Sequence, residues 1–174
     1  MTMDPNHTAL LVIDVQQGLF RKSTPIYKAD ELLENIELLI DRAHQAGVPV
    51  FFIQHSGNKT LLKGSHDWQL HGELQPQKID TIVHKQHGNA FEDTNLDGLL
   101  KSRFIISLVV TGLLTDGCIR ASCLGALKLG YAVILVKGGH STYSKQAARV
   151  IEEWNQKLSE QQVELKSSSE IDFS

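Results

Sequence analysis

Val109-Val110-Thr111-Gly112-Leu113-Leu114-Thr115-Asp116-Gly117-Cys118 is the stretch that decides how this chain folds. An apolar run climbs to a glycine, the chain turns, and a thiol arrives where a helix begins. That is the strand–turn–helix unit of a parallel α/β sheet. A helix N-terminus presents unpaired N–H groups and a partial positive charge. A cysteine placed there is shifted toward thiolate, the form that attacks carbon, and neighbouring N–H groups can hold an oxyanion.

The flanking sequence repeats the unit. Residues 8–14 (Thr8-Ala9-Leu10-Leu11-Val12-Ile13-Asp14) form an unbroken apolar run ending in a carboxylate, as suits a strand covered on both faces. Residues 29–46 space Leu32, Leu33, Ile36, Leu39, Ile40 and Ala43 along one helix face, and Gly47 stops that helix. Residues 48–54 read as strand two. Residues 81–85 read as strand three, ending in Lys85. A short helix around Leu96–Leu100 leads to strand four at 104–110. Residues 116–129 read as the helix carrying Cys118. Strand five follows at 132–136, a helix at 144–158 and a short strand at 163–165. The sequence predicts an open, mostly parallel sheet with helices on both faces, in a single domain over 1–174.

Ligands of such sheets bind beyond the carboxyl ends of the strands. Asp14 ends strand one, Lys85 ends strand three and Cys118 follows strand four, so all three are expected at one edge. Asp14 reads as a base for the thiol, and Lys85 as the cation that orients the carboxylate and balances its charge. His55, His84 and His87 also fall near strand ends, which leaves a Cys–His arrangement open. Residues 55–79 are polar and irregular, yet Trp68, Leu70 and Leu74 favour an ordered loop. Thr115 and Asp116 are good N-cap types.

Composition narrows the class. The chain has 174 residues, 41% hydrophobic and 21% charged, with a formal net charge of -3. No basic block suggests nucleic acid. No apolar run approaches the roughly 20 residues of a membrane span, and no secretory signal is read. Cys118 and Cys123 diverge by about 140° on a helix, which argues against a disulfide between them. A reducing, cytoplasmic setting is expected.

Leu11-Val12-Ile13-Asp14-Val15-Gln16, Lys85, and Thr111-Gly112-Leu113-Leu114-Thr115-Asp116-Gly117-Cys118-Ile119 together resemble the isochorismatase-like cysteine hydrolases, in order and spacing. The resemblance runs from Ala9 to about Phe173. It implies a three-layer, six-stranded parallel sheet in the order 3-2-1-4-5-6. It implies Cys118 as nucleophile, Asp14 as general base and Lys85 as third member of the triad. It also implies a cis peptide at Leu113–Leu114, with the N–H groups of Leu114 and Cys118 as the oxyanion hole. The activity implied is hydrolysis of a small amide, ureido or related carbonyl compound through a thioester. Vinyl-ether hydrolysis of the isochorismatase type is the alternative, and a silent binding protein on the same scaffold is another. The expected partner is a small-molecule substrate.

Phe20, Trp68, Phe91, Gln16 and His55 are the candidate substrate contacts. The metal-binding Asp-x-His of nicotinamidases is absent, since strand two ends in Gln54-His55-Ser56-Gly57. His66 and His71, with Asp67 nearby, are read as polar loop residues, with a metal pair as the alternative, and no metal or other cofactor is expected. In the family that the chain resembles, Ser is common where Asn89 stands here, and an acidic residue often follows strand five where Gly138-Gly139 stands. A homo-oligomer is expected, with helix 116–129 and the C-terminal segment as interface candidates.

Overall fold

The computed structural model describes residues 3–174. Among them, six strands form one sheet: β1 Thr8–Ile13, β2 Val50–His55, β3 Thr81–Lys85, β4 Ser107–Leu113, β5 Ala132–Ser141 and β6 Glu164–Ser167. Four α-helices connect them: α1 Ala29–Ala46, α2 Leu96–Ser102, α3 Arg120–Lys128 and α4 Ala147–Glu160. Every neighbouring pair is parallel, and the order is β3-β2-β1-β4-β5-β6. The fold is the expected one. No helix among the described residues is long and apolar enough to cross a membrane.

Each central strand feeds two cores by alternation. Leu10 and Val12 of β1 join Val50, Phe52, Val109 and Ile134 under α1, which buries Leu32, Leu33, Ile36, Leu39, Ile40 and Ala43. Ala9, Leu11 and Ile13 face the other way and join Phe51, Ile53, Leu108 and Val110 beneath α2, α3 and α4. Full burial of a Leu or Ile is worth about 1.5–3 kcal/mol, so α1 alone contributes many such increments. Gly47 ends α1 in the left-handed region (φ 72°), where its N–H reaches the Ala43 and His44 carbonyls.

Several boundaries differ from the pattern reading, three of them for a visible physical reason. Strand four starts at Ser107 rather than 104, because Phe104 takes a left-handed turn (φ 58°) and stays 75% exposed. Helix α3 is shorter than 116–129, because residues 115–119 form a separate, wider turn. Strand five continues through Gly138 and Gly139 to Ser141 by means of an irregularity between Val110 and Gly112 of its partner. One further expectation is corrected. The C-terminal segment does not offer an apolar interface: Ile171 and Phe173 are buried in the core under α1, and Arg42 donates to the Ser168 and Ile171 carbonyls. Of the expected interface, Leu124 and Leu129 remain exposed.

Crossovers that run outward from β1 to β3 and then return to β4 leave a switch point between the carboxyl ends of β1 and β4. Gly112 closes that point. It has φ +124°, and a Cβ there would lie 2.0 Å from the Ile13 carbonyl oxygen. Backbone therefore presses on backbone one residue before Asp14. We expect Gly112→Ala to cost about 3 kcal/mol or more, or to prevent folding. Gly47→Ala, strained in φ but with open space around it, should cost about 1 kcal/mol. Urea unfolding midpoints of the two variants check the difference.

Candidate active site

Four strands deliver side chains to this point. Asp14 follows β1 and takes a left-handed backbone (φ 55°), a strained conformation for a non-glycine residue. Its N–H donates to the Ile53 carbonyl, which pins it beside β2. His55 ends β2 and Lys85 ends β3. After β4 the Leu113–Leu114 peptide is cis. The turn Thr115–Ile119 then carries Cys118, and the Leu114 carbonyl accepts from both Gly117 and Ile119.

Lys85 joins these groups. Its side chain has no solvent exposure, and its Nζ lies 3.1 Å from Asp14 Oδ2. The same nitrogen is 2.9 Å from His55 Nδ1, 2.9 Å from the His87 carbonyl and 3.2 Å from Cys118 Sγ. The other Asp14 oxygen, Oδ1, is buried with no hydrogen-bond partner among the described residues. A buried pair of this kind is costly to break, because either charge left alone would be unsolvated.

The protonation pattern reverses one expectation. Burial and the Asp14 charge push the Cys118 thiol up to about 12, with Lys85 only partly opposing. The helix-terminus argument predicts a shift toward thiolate; the desolvation and the adjacent carboxylate outweigh it. The resting sulfur is a thiol. Asp14 is itself pushed upward by burial, against the pull of Lys85. A carboxylate held above its ordinary range is a better proton acceptor.

Asp14, His55 and Cys118 place an oxygen, a nitrogen and a sulfur within 4.8 Å of one another, a donor set that suits a soft cation by type. Lys85 lies within hydrogen-bonding distance of all three and already supplies positive charge at their centre. His66 and His71 are engaged elsewhere. Arg21 meets His66 Nδ1 at 3.2 Å and donates to Asp67 at 2.8 Å, while His71 Nδ1 accepts from the Glu73 N–H.

The remaining predicted contacts divide. Gln16 is buried, and its amide is used on backbone: Nε2 donates to the His55 and Trp68 carbonyls, and Oε1 accepts from the His55 N–H. It staples the long loop to β2 and has little left to offer a ligand, contrary to expectation. Trp68 donates from its indole to Ser56 Oγ and tilts against His84. Phe20 meets His71 edge-on, and Phe91 stacks on Tyr131. All three aromatics are half-buried. Asn89 caps the Phe91 N–H with Oδ1 and lies against Gly125, where a Cβ would come within 2.4 Å of it. It therefore shapes the turn.

The sequence reading misses a buried relay beneath the turn that carries Cys118. Thr115 and Asp116 make no cap hydrogen bond. Instead Thr115 Oγ1 lies 2.7 Å from His140 Nδ1, and His140 Nε2 lies 2.8 Å from Asn155 Oδ1 on α4. The amide oxygen only accepts, so Nε2 carries the ring proton and Nδ1 accepts from Thr115. A lone Asn on the apolar stripe of α4 was the available signal. His140 itself was hidden by ending strand five at Val136.

The arrangement is a buried ammonium gathering a carboxylate, an imidazole and a thiol at the switch point of an open parallel sheet. An isochorismatase domain model matches residues 8–157, and the chain belongs to the isochorismatase family. It is 33% identical over 142 residues to a streptothricin hydrolase of Streptomyces noursei, covering 80% of this chain and 51% of that enzyme. The chain thus spans about half the length of that relative. It is 27% identical over 175 residues to a ureidoacrylate amidohydrolase of Agrobacterium fabrum, covering 79% and 77% of the two chains. A crystal structure of an isochorismatase family protein superposes with a TM-score of 0.88 at 29% identity, covering 92% and 98%.

Burial lowers the His140 pKa from 6.5 to about 4. Between those values the unfolded chain binds a proton that the folded chain does not. Stability is therefore whole above pH 6.5 and falls as pH drops toward 4. We expect this group to remove up to about 3 kcal/mol across the window. Urea midpoints at both ends of the window should show a smaller loss in His140→Gln than in the wild type.

Proposed function

We propose that this chain is a cysteine hydrolase of a small amide, ureido or related carbonyl compound. The observation that carries the reading is the unpartnered, buried Asp14 Oδ1. Lys85 holds the other Asp14 oxygen and touches the Cys118 sulfur. Asp14 thus has one oxygen fixed and one free to take a proton. The names of the relatives, a streptothricin hydrolase and a ureidoacrylate amidohydrolase, support hydrolysis of a carbonyl–nitrogen bond.

In this reading Asp14 Oδ1 takes the thiol proton as Cys118 attacks the carbonyl carbon. The tetrahedral oxygen gains negative charge, and the Leu114 and Cys118 N–H groups receive it. Lys85 keeps the local charge balanced while Asp14 is neutral. The carbonyl–nitrogen bond breaks, the protonated Asp14 gives its proton to the leaving nitrogen, and a thioester remains on Cys118. Water then attacks the thioester, with Asp14 as base, and the acid leaves. Phe20, Trp68 and Phe91 are the proposed walls for the apolar part of the substrate.

Ammonia release across a panel of small carboxamides and ureido acids tests this. We expect Cys118→Ala to lose turnover by at least about a thousandfold, and Asp14→Asn by about a hundredfold or more. Vinyl-ether hydrolysis that survives in Cys118→Ala, with no amide turned over by the wild type, would instead establish the isochorismatase type of reaction. No turnover of either kind would favour a binding protein.

A further inference from the structure

Lys85 has more acceptors than protons. An ammonium group donates three hydrogen bonds. Four acceptors lie within 3.2 Å of Nζ: Asp14 Oδ2, His55 Nδ1, the His87 carbonyl and Cys118 Sγ. The carboxylate and the carbonyl are strong acceptors, whereas a neutral thiol sulfur is a weak one. In the resting protein the third N–H therefore favours the imidazole, and the sulfur is left with a residual share.

We propose that His55 is a positioning residue that competes with Cys118 for one Lys85 proton and so governs how readily the sulfur becomes a thiolate. When the thiol proton passes to Asp14 Oδ1, the sulfur turns from the weakest acceptor into a charged one. The ammonium then moves its third N–H from His55 Nδ1 to the thiolate. No bond to carbon changes in this step, and the single proton lost by sulfur is the one gained by Asp14. The return of that proton releases the N–H back to His55. The imidazole acts as a holding acceptor that keeps the buried ammonium satisfied while the sulfur is neutral.

Two features of the site support the assignment. The competition requires His55 to be neutral with a bare Nδ1, and its pKa is lowered by partial burial and by the Lys85 charge. The titratable groups facing His55 are Lys85, Asp14 and His87, and those facing Cys118 are Asp14 and Lys85. The His55 backbone is fixed independently by Gln16, which bonds both its N–H and its carbonyl. The ring can therefore be replaced without moving the strand end.

The inference rests on Cys118 being the reacting thiol, but its test needs no substrate. The probe is iodoacetamide, with the rate at Cys118 separated from Cys123 by peptide mass and followed as a function of pH. His55→Leu removes the acceptor while keeping bulk and excluding water. We expect its Cys118 rate near neutral pH to rise roughly tenfold, with the midpoint of the profile about one unit lower. His55→Gln restores an acceptor and should return the wild-type profile. An unchanged or slower rate in His55→Leu overturns the proposal, as does an equal gain in His55→Gln. Nitrogen NMR of the His55 ring in the unmodified protein gives a check that no folding defect can obscure. The Nε2–H tautomer is expected, and an Nδ1–H tautomer or an imidazolium at neutral pH overturns the proposal. Absence of amide turnover alongside the expected alkylation pattern would count against the hydrolase reading alone.

Discussion

A lysine ammonium with no solvent exposure is the constraint around which this site is organised. Such a charge persists in the interior only when its protons all find acceptors and a counter-charge is near. Asp14 supplies the counter-charge, and His55 at the end of β2, Cys118 after β4 and the His87 carbonyl of the lysine's own turn supply the remaining acceptors. The topology makes this possible. Lys85 starts on the edge strand β3, two strands from β1, a distance of roughly 10 Å. Its long stem runs past the end of β2, meeting His55, before reaching Asp14 and then the sulfur beyond β4. A shorter cation would stop at β2. The close backbone approach at Gly112 keeps β4 and β1 near enough for the last two contacts.

The same charges decide the state of the sulfur. Proximity to a helix start is not sufficient to make a thiolate when the sulfur is largely buried and a carboxylate lies beside it. The site stores a thiol and a base rather than a preformed nucleophile. In the proposed mechanism, proton transfer and attack are linked through Asp14, whose own carboxyl is pushed upward by the same burial. A protonated thiol also resists oxidation and stray alkylation.

Much of this was legible in the sequence. Asp14, Lys85 and Cys118 stood at the ends of apolar runs of period and length suited to parallel strands, and parallel strands end on a common edge. Their convergence follows from that rule. The contributions that were not legible came from groups without a sequence signature. The His87 carbonyl is backbone, and any residue type could have provided it. Gln16 pointed to the site by position, yet it spends its amide on the His55 and Trp68 backbone. His140 lay past the Gly138-Gly139 pair, which reads as the end of a strand and is instead an irregular continuation of β5. Thr115 looked like a helix cap because its type suits one, whereas the wide turn around Gly117 sends its hydroxyl to His140.

If Asp14 and Lys85 set the sulfur's protonation as opposed charges, their removal must act with opposite sign. The direct measurement is the rate of iodoacetamide labelling at Cys118 near neutral pH, in Asp14→Asn and in the double variant that adds Lys85→Met. The account predicts a gain of roughly tenfold in Asp14→Asn, since the ammonium then acts on the thiol unopposed, and loss of that gain in the double variant. No change in Asp14→Asn, or a gain that survives removal of Lys85, would contradict it.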